Sequence, residues 1–162
     1  AEERRKPDLG SIFEKAFVQS HMGGTRGKFP TWGASGSFSA WTMKDISGEN
    51  ATPTFKGGFD RDAMKEAAVN GIKAERPVVA ESSMFTHDTT VTTPDGAREK
   101  IQIVSQHAYT VVGANENGVT LTNPWGHNNR SVGGNSRTGA TFTMSWEDFY
   151  ANFGDVTVGR IP

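Results

Sequence analysis

Two short stretches of alternating side chains, either side of a polar tetrapeptide, constrain this chain more than anything else in it. Tyr109 and Val111 alternate with Ala108, Thr110 and Val112, and Val119 and Leu121 alternate with Thr120 and Thr122. A period of two marks strands with one buried face. Between them lies Asn115-Glu116-Asn117-Gly118, whose Asn-Gly ending suits a tight hairpin because both residues accept φ > 0. An antiparallel hairpin brings the start of its first strand beside the end of its second. His107 opens the first strand and Asn123 closes the second, so the spacing predicts that the two side chains meet. An Asn bonded to one imidazole nitrogen selects the tautomer and aims the other nitrogen at a partner, which is the base-and-orienter part of an activated-nucleophile site. The plainer alternative is an edge histidine and a polar strand end closed by Pro124.

The rest of the chain places helices first and strands later. Residues 1–8 are charged and polar, with Arg4-Arg5-Lys6-Pro7 among them, and read as a linker or tail; 9–162 read as one domain. Leu9, Ile12, Phe13, Ala16, Phe17 and Met22 fall on one helical face, stopped by Gly23-Gly24, and a second helix is expected to end near Gly48. A third is expected from Arg61 to about Lys73, capped by Asp60, with Met64, Ala67, Ala68 and Ile72 on its apolar side. Strands are expected at 77–80, 89–92, 101–104, 141–144 and 156–158, and loops at 84–88 and 127–138. Pro94-Asp95-Gly96 has the composition of a turn. Ser145-Trp146-Glu147-Asp148 has the outline of a capping box, opening a helix that carries Trp146, Phe149, Tyr150 and Phe153. The order predicts an α+β fold, helices followed by an antiparallel sheet curled into a half-barrel.

His107-Ala108-Tyr109-Thr110-Val111, followed by Leu121-Thr122-Asn123-Pro124-Trp125-Gly126, resembles the second subdomain of a calpain-type cysteine peptidase core, within the papain-like group. Phe13-Glu14-Lys15-Ala16-Phe17, the Gly33–Ser37 turn into Phe38-Ser39-Ala40-Trp41, and Met144-Ser145-Trp146-Glu147-Asp148-Phe149 extend the likeness, so that it covers most of 9–160. The resemblance implies that His107 is the general base, that Asn123 orients it and that Trp125 shields their contact. It implies a papain-like fold and peptide-bond hydrolysis by thiol acyl transfer. Two departures stand out. The family has Gly directly before the His, where substrate backbone passes, and this chain has Gln106. The animal enzymes carry acidic calcium-binding loops after Asn-Pro-Trp-Gly; here His127 to Gly134 contains no carboxylate, so no calcium site and no other metal or cofactor is expected.

Composition bears on the same reading. The 162 residues include no cysteine, which excludes disulfides and thiolate metal sites and leaves the compartment undetermined, secretion included. It also means that the nucleophile of a thiol peptidase must come from a Cys-bearing first subdomain, upstream in the same precursor or on a separate chain. The family's oxyanion Gln belongs to that subdomain too; Gln102 and Gln106 do not match its position. The isolated chain is therefore expected to be inactive, with a protein or peptide as substrate of the completed enzyme. A net charge of −1 gives no field to attract nucleic acid or an anionic membrane. No apolar run approaches the ~20 residues of a membrane span. His107 and His127, at opposite strand ends with no acid or thiol to complete a set, do not read as metal ligands. Two other readings stay open: a non-catalytic binding or regulatory module of the same fold, and a papain-like amidase or acyltransferase.

Overall fold

The computed structural model describes residues 49–56, 62–130 and 137–160; the expectations for the linker and for the helices before Gly48 lie outside them. Among the described residues the fold is α+β, an eight-stranded antiparallel sheet with two helices. The strands are β1 (Thr52–Phe55), β2 (Val78–Ser82), β3 (Asp88–Thr92), β4 (Arg98–Gln102), β5 (Ala108–Asn115), β6 (Gly118–Arg130), β7 (Arg137–Met144) and β8 (Phe153–Val158). The helices are α1 (Asp62–Lys73) and α2 (Trp146–Asn152). Across the sheet the order is β1-β8-β2-β5-β6-β7-β3-β4. No described helix is long and apolar enough to cross a membrane.

The β5–β6 hairpin forms as the alternation requires. Tyr109, Val111, Val119 and Leu121 are buried, while Thr110 and Val112 are exposed. Its turn is built differently from expectation. Glu116 and Asn117 are the turn residues, neither has positive φ, and the Asn115 side chain closes the turn by accepting from Asn117 N at 2.8 Å and Gly118 N at 3.2 Å. Gly118 is needed for space: a Cβ there would lie 2.6 Å from the Met144 carbonyl oxygen on β7. The register shifts between Val111 and Gly113, a bulge that adds twist near the turn.

Other segments also differ from the sequence reading. β1 was not expected; it carries Pro53 and lies at the edge of the sheet on β8, the kind of strand to which proline is confined within sheets. The tract 127–138, expected to be a loop, is partly strand, because β6 continues to Arg130 and pairs His127 with Gly139 and Arg130 with Arg137. β4 begins at Arg98 rather than Ile101. α1 starts at Asp62 and ends in a Schellman motif: Arg76 N donates to Gly71 O and Glu75 N to Ile72 O, with Glu75 at φ 55°.

The core lies where α1 and α2 meet the sheet. α1 buries Met64, Ala68 and Val69 and packs against β5, β8 and β1. At Gly71 an added Cβ would lie 2.6 Å from Val78, so the glycine lets helix and sheet approach. Ser145 caps α2, accepting from Asp148 N at 3.1 Å and donating to Asp148 Oδ2 at 2.8 Å. This matches the expected cap, with Asp148 returning to the hydroxyl. Trp146, Phe149 and Tyr150 are buried in α2, and Phe153, expected in that helix, is buried as the first residue of β8. Phe149 stacks on Phe153 with ring centres 4.5 Å apart, and Tyr109 meets Phe153 and Phe142 edge-on at 5.5 and 5.9 Å. Each fully buried ring contributes roughly 1.5–3 kcal/mol, and this aromatic cluster supports the strand that carries His107.

Candidate functional site

The site begins with the turn before β5, which is folded around one buried hydroxyl. Ser82, at the end of β2, accepts from His107 N at 2.9 Å, and its Oγ lies 2.6 Å from Val104 O and 3.1 Å from His107 O. The main chain adds Ser82 N to His107 O at 2.9 Å and Gln106 N to Ser83 O at 3.1 Å. On the other side the buried Tyr109 hydroxyl accepts from Val104 N at 3.1 Å, and burial pushes the phenol up to about 12. Held this way, Gln106 takes a left-handed conformation with φ 51°, which Gly adopts freely and a side chain adopts at a cost. His107 follows directly, half-buried at the head of the strand.

Hairpin register then brings Asn123 and Trp125 to the imidazole. Thr110 is paired with Thr122; continued past that pair, the register sets Trp125 opposite His107 and Asn123 one diagonal step away, within reach of a polar side chain. His107 Nε2 lies 3.0 Å from Asn123 Oδ1. The same oxygen accepts from Trp125 N at 3.1 Å. Trp125 N is a donor, so the atom facing it must be the amide oxygen rather than the amide nitrogen. An amide oxygen only accepts, so Nε2 carries the proton that it shares with Asn123. In the neutral ring the lone pair is therefore on Nδ1.

Asn123 is fully buried. A hydrogen bond in such surroundings is stronger than one in water, and losing it leaves an unsatisfied polar group. Trp125 lies against the His107 ring, with centres 4.3 Å apart and planes at 40°. It covers one side of the imidazole while staying 42 % exposed, so it forms the rim of the site. Tyr109 meets the His107 ring edge-on at 4.9 Å from within the core.

His107 and Asn123 thus meet as their spacing suggests, and Trp125, which the resemblance brought in, lies against the imidazole. Gln106 supplies backbone geometry to this cluster. Gln102 is exposed on β4 opposite Asp88, and His87 is exposed, its main-chain N–H bound to Asn152 Oδ1 at 2.6 Å. His127 lies in the β6–β7 ladder with its ring 6.3 Å from that of Trp125. Among the described residues no three His, Cys, Asp or Glu side chains are grouped so as to hold a metal.

Two residues of the site escaped sequence reasoning. Ser82 is a small polar residue at the end of an apolar strand, a pattern shared by many strand ends. Asn128 sits in a tract rich in Asn and Gly that reads as a solvated loop, yet it is buried. Its Nδ2 donates to Gly139 O at 2.6 Å and Ala140 O at 3.1 Å, and its Oδ1 accepts from Asn123 Nδ2 at 3.4 Å. Spacing gives no signal for it: Asn128 stands an odd number of residues from Val119, Leu121 and Asn123 on the buried face of β6, and the break of register between Thr122 and His127 brings it to their side. Neither a scan against protein-family models nor a search of curated proteins matches this chain.

Proposed function

We propose that this chain is the His- and Asn-bearing half of a calpain-type, papain-like cysteine peptidase core, completed by a Cys-bearing subdomain from the same precursor or from a separate chain. One observation carries the reading. The His107 Nε2–H is held by a buried amide oxygen that Trp125 N–H also holds, which makes Nδ1 the basic nitrogen and fixes the direction in which it can act. A second observation softens the departure at Gln106. The residue before the histidine has φ 51°, a conformation that glycine takes without strain.

In this mechanism Nδ1 of His107 takes the proton of a thiol supplied by the other subdomain, forming a thiolate–imidazolium pair. The sulfur attacks a peptide carbonyl carbon, and the imidazolium returns its proton to the leaving amine as the C–N bond breaks. Water, deprotonated by the same nitrogen, then hydrolyses the thioester. Asn123 keeps the ring in one plane and stabilises its cationic form, while Trp125 keeps bulk water off the Nε2–Asn123 bond. Ser82 is not the nucleophile here, because its hydroxyl is engaged with the main chain of His107 and Val104.

The test is peptide hydrolysis by a longer form of the protein that carries the upstream region. Thiol-dependent cleavage is expected, lowered by several orders of magnitude by His107→Ala and by less on Asn123→Ala, since the orienting group contributes less than the base. A longer form with a suitably placed Cys that cleaves nothing, and is unaffected by His107→Ala, would overturn the reading. The absence of cysteine from the 162 residues favours one rival, a binding module that keeps the fold without the reaction; an upstream half intact but lacking Cys would establish it.

A further inference from the structure

Four hydrogen bonds run in one direction from β7 to the imidazole, and each determines the next. The carbonyl oxygens of Gly139 and Ala140 only accept, so Asn128 must turn its Nδ2 toward them. That leaves Oδ1 of Asn128 facing Asn123, whose Nδ2 donates to it at 3.4 Å. Asn123 must then present Oδ1 to His107 and to Trp125 N, and the proton of the neutral ring is placed on Nε2. Both amides are buried, at 0 % and 2 % exposure for Asn123 and Asn128, where reversing either one sets donor against donor.

We propose that Asn128 is a positioning residue for His107: anchored on two β7 carbonyls, it joins Trp125 N in holding the Asn123 amide in one orientation and so secures the Nε2–H tautomer of the imidazole. The chemical use of that tautomer rests on the peptidase reading above; the tautomer itself does not.

The experiment uses the full 162-residue chain labelled with ¹⁵N, comparing the imidazole nitrogen shifts of His107 and the solvent exchange of its ring N–H in the wild type, Asn128→Leu and Asn128→Asp. The wild type should hold neutral His107 as the Nε2–H form with a slowly exchanging proton. Asn128→Leu removes the acceptor facing Asn123 and should speed that exchange at least tenfold. Asn128→Asp keeps an oxygen toward Asn123, and its other oxygen is expected to stay protonated against Gly139 O; exchange should remain within about threefold of the wild type. If Asn128 only staples β6 to β7, Leu and Asp act alike on the ring proton, and that result overturns the proposal, as does an unchanged rate in Asn128→Leu. Should neither variant fold, the wild type alone decides. An Asn123 side-chain amide whose protons exchange as fast as a free amide, or a neutral His107 in the Nδ1–H form, overturns it. None of these readouts needs a nucleophile. Failure of peptide cleavage would therefore sink the functional reading and leave this result standing.

Discussion

Asp155 is the group whose replacement should stabilise this fold, and only above mildly acidic pH. β8 sets it directly opposite Glu81 of β2. It is 5 % exposed, and its Oδ1 has no hydrogen-bond partner among the described residues. Burial first, and the Glu81 charge second, push its carboxyl up to about 7. A rise of about three units corresponds to an upper limit of ~4 kcal/mol, and allowing for water and side-chain relaxation around the carboxylate roughly halves it to ~2 kcal/mol. The sign follows from proton counting. Below the unfolded value near 3.9, folded and unfolded chains both hold the proton and there is no penalty. Between there and about 7 the folded chain holds a proton that the unfolded chain has lost, so stability falls as pH rises and levels off above 7. Asn cannot ionise. Asp155→Asn should match the wild type at pH 4 and exceed it by ~2 kcal/mol at pH 8, a melting-temperature gap growing from near zero to about 4–8 °C. Urea titrations and thermal melts at pH 4, 5, 6, 7 and 8 measure it. A gap that stays flat with pH would refute the argument, and an Asn variant less stable at pH 8 would show that the carboxylate has a favourable partner.

Three further substitutions test the geometry around the hairpin and the strand beside it. Gln106→Gly removes a side chain from a left-handed position and should raise stability by about 1 kcal/mol, seen as a melting temperature about 2–4 °C higher; a lower melting temperature would mean that the Gln side chain makes a stabilising contact worth more than the strain. Gly118→Ala places a Cβ 2.6 Å from a β7 carbonyl oxygen, whereas Gly139→Ala meets nothing within 4 Å. Chemical denaturation should show a loss of about 1–3 kcal/mol for the first and little change for the second, and equal effects would contradict the close approach.

The parts of this fold that were legible in the sequence are those decided within a few residues or across one hairpin. Alternation at 108–112 and 118–122 determines which side chains are buried, and a single turn determines that His107 and Asn123 converge. Ser145 and Asp148 cap α2 because capping is a local exchange of hydrogen bonds. What only tertiary structure decided depends on partners distant in the chain. β1 is a strand because β8, a hundred residues later, offers it a backbone edge; Thr52–Phe55 has no alternation of its own to announce it. The polar run after Trp125 becomes strand because β7 pairs with it, and backbone pairing leaves no mark on side-chain periodicity. Ser82 is tied to the main chain of Val104 and His107, and Asn128 is anchored on the carbonyls of Gly139 and Ala140, groups that every residue carries alike. Sequence therefore determined which side chains meet at the candidate site, and the assembled sheet determined which neighbours hold them in place, because those neighbours are anchored through the main chain.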